Sequence, residues 1–120
     1  MIITNAFSLN ILATSMLPTH IEVNEISRER ARALLLASPN NSSAVGHADT
    51  AKILGTELGM EIPMNRVTLA LKNGELIVGQ YSGPRLTEGT SVLPEGAKIK
   101  WLHVRVTAFE TDLSRINGGG

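Results

Sequence analysis

The chain has 120 residues, with eleven basic and eleven acidic side chains that cancel to a net charge of zero, and it contains no cysteine. One domain with one core fits that length. Neutral bulk charge argues against a protein that coats long DNA or RNA, and the missing thiols exclude disulfides, thiolate metal sites and cysteine nucleophiles.

The apolar start, Met1 to Leu12, has no basic leader and is broken by Asn5, Ser8 and Asn10, so it does not read as a signal peptide. No window approaches the roughly 18 apolar residues of a membrane span. Met1 to Thr4 predicts a short buried strand. The polar run Asn5 to Asn10 then reads as a capped turn or as a polar lip at the end of a core strand, where α/β proteins bind ligands. A short helical piece through Ile11 and Leu12 is expected to end before Pro18.

Ile21 and Val23 alternate with Glu22 and Asn24, which predicts a second strand. Ser27 then caps a helix through about Ala37, with Ile26 as its hydrophobic staple. Leu34 and Leu35 supply the buried side, and Arg28 and Arg32 read as solvated charge. Ala44 to Gly46 reads as a third short strand. It stops at His47, where a helix starts that carries Ala51, Leu54 and Leu58 and ends at Gly59.

Val67, Leu69 and Leu71 alternate with polar or small residues up to Asn73-Gly74, a strong hairpin signal, and Leu76, Val78 and Gln80 alternate on the far side. These residues predict an antiparallel hairpin. Ser82 to Thr90 is rich in glycine and polar residues and predicts a mobile flap. A last strand is expected from Trp101 to Phe109, with Leu102, Val104, Val106 and Ala108 on one side. The expected fold is a single α/β domain over residues 1–117, a mixed sheet flanked by helices, with Gly118 to Gly120 as a loose tail.

His47 stands at a strand-to-helix junction, where free N–H groups attract anions and where an imidazole can transfer protons near neutral pH. The simpler reading of such a histidine, from local sequence alone, is an ordinary helix cap or surface residue. No carboxylate-rich cluster offers a metal a ligand set, and no nucleophile elbow is present. His20 and His103 read as structural. What remains is acid–base chemistry on a phosphate ester: a ribonucleotide supplies its own 2′-hydroxyl nucleophile, and a histidine acting as general acid contributes roughly 10²–10⁴-fold. Arg85 could neutralise phosphate charge and Glu88 could orient His47. Both also read as an exposed loop ion pair contributing little.

Asn5-Ala6-Phe7-Ser8-Leu9-Asn10, Ala44-Val45-Gly46-His47-Ala48-Asp49-Thr50, Asn65-Arg66-Val67 and Arg85-Leu86-Thr87-Glu88-Gly89 occur in the order in which similar blocks occur in the viral type III anti-CRISPR ring nucleases. That family, from archaeal viruses and bacteriophages, resembles this chain from its start to the flap. The resemblance implies a cytoplasmic homodimer, acting in the host cytoplasm if viral, that degrades cyclic tetra-adenylate without metal or cofactor and so silences type III CRISPR effectors. It places the catalytic histidine at His47 and the flap arginine and glutamate at Arg85 and Glu88. It places ligand contacts at Asn5, Ser8, Asn10, Thr50, Arg66 and Gln80. An isologous dimer would hold the four-fold ring with one His47 beside each of two opposite phosphates.

Two departures stand out. The approach Tyr81 to Arg85 looks one residue longer than usual, and Ser91 to Gly96 does not read as the helix that relatives often carry there. A non-catalytic sponge for cyclic nucleotides and a viral structural or interaction module are the alternatives.

Overall fold

The computed structural model describes residues 1–13 and 18–108. Five strands form one mixed sheet: β1 (Ile2–Thr4), β2 (Thr19–Ile26), β3 (Ser42–Ser43), β4 (Gly74–Ser82) and β5 (Lys98–Ala108). Their order across the sheet is β2-β5-β4-β1-β3. β1 runs parallel to both β3 and β4, while β5 is antiparallel to β4 and to β2. Two helices, α1 (Arg28–Ala37) and α2 (Ala48–Leu58), and a 3-10 turn at Leu9–Ile11 complete the elements among the described residues.

Each face of the sheet carries its own apolar cluster. On one, Ala31 and Leu35 of α1 and Ala51, Leu54 and Leu58 of α2 pack on Ile3, Val45, Ile77 and Trp101. On the other, Leu76, Val78, Val104 and Val106 are covered by Phe7, Ile11, Leu12, Leu69 and Leu71, which lie in no strand or α-helix. Leu76, Ile77, Val78 and Gly79 are therefore buried in succession, as expected of a strand covered on both faces. Gly79 is required by its neighbours: a Cβ there would stand 2.7 Å from the Trp101 ring and 2.8 Å from Leu54.

The helices follow the sequence closely. The Ser27 hydroxyl accepts from the Arg30 N–H as the N-cap of α1, and Ile26 packs on the core beside it. Gly59 ends α2 in the left-handed region at φ 65°, and its N–H reaches the carbonyls of Gly55 and Thr56. Arg32 is not merely solvated, since its Nη1 donates to the carbonyls of Leu58 (2.6 Å) and Gly59 (3.2 Å) and so satisfies the end of α2. Arg28 pairs with Glu29 and Glu57.

The expected hairpin does not form. β4 pairs with β1 on one side and β5 on the other, so both of its edges are taken. Val67 to Leu71 instead crosses the sheet's outer face, joined to Leu12 by one parallel bridge at Leu71. Asn73 closes a different junction, its Oδ1 accepting from the Ala108 N–H at the end of β5. The third strand also lies earlier than expected, at Ser42–Ser43, although the Ala44 N–H still donates to the Ile3 carbonyl of β1 at 2.8 Å. β5 matches the expected last strand and begins three residues sooner. Phe109 and the expected tail at 118–120 fall outside the described residues. His20 lies within β2 and His103 within β5. As expected, no helix forms over Ser91 to Gly96. No helix among the described residues is long and apolar enough to cross a membrane.

Candidate functional site at the carboxyl edge of the parallel strands

β1 and β3 are neighbouring parallel strands whose continuations leave in opposite directions. The chain after β1 drops onto the outer face through Phe7 and Ile11, whereas the chain after β3 enters α2 on the helical face. Open α/β sheets usually bind ligands beyond strand ends that diverge in this way. Asn5 and His47 follow the two diverging exits. Asn5 follows Thr4, whose hydroxyl lies against the carbonyls of Ala6 and Ala44 and ties the two exits together.

His47 is the N-cap residue of α2, in extended backbone conformation, and its imidazole is exposed and makes no capping hydrogen bond. The cap reading therefore fails for the side chain; only the backbone carbonyl serves the helix, accepting from the Ala51 N–H at 3.0 Å. Thr50, half-buried, lies in the first turn of the same helix.

The flap is tied to this turn. The Gly89 N–H donates to Asp49 Oδ1 at 3.2 Å, and Thr56 Oγ1 donates to the Ser91 carbonyl at 2.9 Å. Glu88, one residue before Gly89, is thereby carried to the start of α2. Gly89 sits at φ 84°, a conformation that favours glycine. At the flap's root the Tyr81 hydroxyl donates to the Pro84 carbonyl, which fixes the turn just before Arg85. Arg85 and Glu88 are both exposed and form no ion pair with each other, so the loop ion pair expected as their ordinary role is absent. Glu88 does not bond His47 here.

Arg66 approaches the residue before His47 from a separate segment. Asn65 is pinned by two bonds, its N–H to the Val45 carbonyl (2.8 Å) and its Nδ2 to the Ser43 carbonyl (2.7 Å). This places the Arg66 guanidinium under the Gly46 carbonyl, at 3.4 Å from both Nε and Nη2. These are long bonds, which position the side chain more than they bind it. Gln80 is exposed near the end of β4, two residues beyond Val78, the partner of Thr4. Ser8 and Asn10 are exposed at the 3-10 turn. The chain there runs on to its bridge between Leu12 and Leu71.

Two residues carry weight that the sequence did not single out for it. Asp49 and Asn65 stood in the sequence only as members of the shared blocks, with no role of their own; their partners lie 40 and 22 residues away. No local pattern encodes either bond. Among the described residues, no three His, Asp or Glu side chains converge as a metal-binding group would.

Fold and site together define a small mixed α/β protein whose polar loops gather at the carboxyl edge of a parallel three-strand unit, under a tethered flap. Residues 1–98 match the family model described as STIV B116-like, and the chain belongs to that family. Over 90 residues it is 37% identical to "Uncharacterized protein 26" of Sulfolobus islandicus filamentous virus (isolate Iceland/Hveragerdi), covering 75% of each chain. Its structure is similar to that of B116 of Sulfolobus turreted icosahedral virus, with a TM-score of 0.71 and 28% identity, over 86% of this chain and 96% of that one. Both relatives are virus proteins, so the chain falls in a family of small viral proteins.

Proposed function

We propose that this protein is a ring nuclease: a homodimer that opens cyclic tetra-adenylate by metal-independent transesterification and so silences type III CRISPR effectors. The observation that carries this reading is the exposed, unbonded His47 imidazole at the start of α2, with the flap bearing Glu88 tied to that same turn through Gly89 and Asp49. The four sequence blocks shared with the anti-CRISPR ring nucleases support it, and the family match covers every residue those blocks name.

In the proposed reaction a ribose 2′-oxygen attacks its own 3′-phosphorus and loses its proton to water. The bond from phosphorus to the 5′-oxygen breaks, and that oxygen takes a proton from the His47 imidazolium. Arg85 offsets charge on the non-bridging oxygens, and Glu88 orients the imidazole once the flap closes on the ligand. The free N–H groups of the first turn of α2 favour the same anion. Two such cuts, one per protomer, release two linear di-adenylates ending in 2′,3′-cyclic phosphate.

Incubation with cyclic tetra-adenylate in EDTA, followed by product chromatography, tests the proposal. Wild-type protein should give the linear di-adenylate, and His47→Ala should lose at least about 10²-fold in rate. Binding without cleavage by the wild type would instead indicate a sponge. Absence of both would refute a cyclic oligoadenylate function.

A further inference from the structure

At the carboxyl end of β4 the sheet carries a polar cavity of about 540 Å³, lined by Gln80, Ser82, Lys98 and Lys100 together with Glu25, Tyr81 and Ile99. The strand register explains its composition. Val78 faces Leu102 and Leu76 faces Val104 within the outer apolar cluster, and two residues further along the same face Gln80 lies opposite Lys100 and Ser82 opposite Lys98. The apolar face thus turns cationic at the carboxyl end of β4, next to the root of the flap.

Neither lysine side chain forms an ion pair or hydrogen bond among the described residues, and the Gln80 side chain is equally unengaged. Glu25, across β5 at Leu102, is the one carboxylate lining the cavity among the described residues. Two ammonium groups therefore face one carboxylate. Alternate residues of a strand stand about 7 Å apart, a spacing on the scale of successive phosphates along an oligonucleotide. Lysine suits such a role as a mobile point charge that needs no fixed fork.

We propose that Lys98 and Lys100, with Gln80, bind phosphates of the oligoadenylate that are not cleaved, and so set affinity rather than the rate of bond breaking. This rests on the ring-nuclease reading and adds to it two binding residues on β5, of which Lys100 lies beyond the span of the family match. Ring and enzyme would then meet at three places: His47 with the flap, the Asn5 lip, and the lysine pair.

The test is steady-state cleavage of cyclic tetra-adenylate across a salt series by wild type, Lys98→Gln/Lys100→Gln and Lys98→Arg/Lys100→Arg, with thermal unfolding as the folding control. The glutamine pair should raise KM about tenfold while kcat stays within about twofold. Its log–log salt dependence of binding should flatten by about one unit per lysine. The arginine pair should restore both. An unchanged KM and salt slope in a glutamine pair that folds normally overturns the inference and leaves the ring-nuclease reading intact. A raised KM with an unchanged slope, or a loss confined to kcat, overturns it too. Failure of the wild type to bind or open the ring brings down both.

Discussion

The bond from the Gly89 N–H to Asp49 Oδ1 offers a direct way to loosen the flap without touching the proposed chemistry. A hydrogen bond to a charged acceptor is worth roughly 1.5–3 kcal/mol when well shielded. This one is 3.2 Å long and exposed, so about 1 kcal/mol is the appropriate magnitude. Asp49→Ala should then lower the docking equilibrium of the flap about fivefold, because RT is about 0.6 kcal/mol. The remaining tether, Thr56 Oγ1 to the Ser91 carbonyl, still holds the far side. Amide hydrogen exchange at Gly89, followed by NMR under conditions where exchange reports the open population, should speed up by the same factor. Exchange in the buried middle of α2, at Leu54 and its neighbours, should change much less. Loss of a negative charge from the first turn of α2 costs roughly 0.3–1 kcal/mol on its own, which lowers Tm by a few degrees at most. Asp49→Asn, which keeps an acceptor without the charge, should fall between wild type and alanine. If Gly89 exchanges at the wild-type rate in Asp49→Ala, the flap is not held by this bond.

Gly55→Ala should destabilise the protein by roughly 1–2 kcal/mol in chemical denaturation, although alanine is favoured over glycine in a helix by about 1 kcal/mol. The new Cβ would stand 2.6 Å from the Met60 carbonyl oxygen, which is backbone and cannot step aside; a stabilised variant would refute the close approach. Asn65→Ala should cost about 1–3 kcal/mol by removing the donor to the Ser43 carbonyl, and should weaken ligand binding by releasing Arg66, as titration calorimetry would read. Burial alone would raise the Glu75 carboxyl, but hydrogen bonds from His103 and Arg105 outweigh it and hold the carboxyl below its usual range. A lowered folded value stabilises at pH above the usual glutamate range, and that contribution fades as pH falls through the folded value. The stability gap between wild type and Glu75→Gln should therefore narrow from pH 6 to pH 3, and a gap that widens on acidification would refute the assignment.

Much of this fold was legible wherever the deciding interactions are local. Ser27 caps α1 through a bond three residues away, and Gly59 stops α2 through its own backbone conformation. His47 could be placed at a helix start because the apolar stripe of Ala51, Leu54 and Leu58 begins just after it. The hairpin expectation failed for the opposite reason. Asn73-Gly74 and the alternation on either side meet every local requirement, yet the partners of β4 are chosen by Ile2 to Thr4 and by Trp101, whose ring closes over Gly79. The same holds at the site. The histidine was visible from its position, whereas the roles of Asp49 and Asn65 depend on backbone groups that reach them only in the folded chain.

The place of β5 in the sheet also bears on how the chain comes together as it is synthesised. Among the described residues it is the last strand in sequence, yet it lies between β2 and β4, so that Ile26 meets Trp101 and Thr19 meets Ala108. Until it emerges, β2 has no partner at all, and β4 has only the three-residue β1 to pair with. Both helices must then carry their apolar faces without the Trp101 that completes their core. Folding should be dominated by distant pairings, slow for a chain of this size, and cooperative about the arrival of a single strand. Released nascent chains ending before residue 98 should accordingly collapse without a stable sheet, and protease resistance should rise in one step once β5 is free.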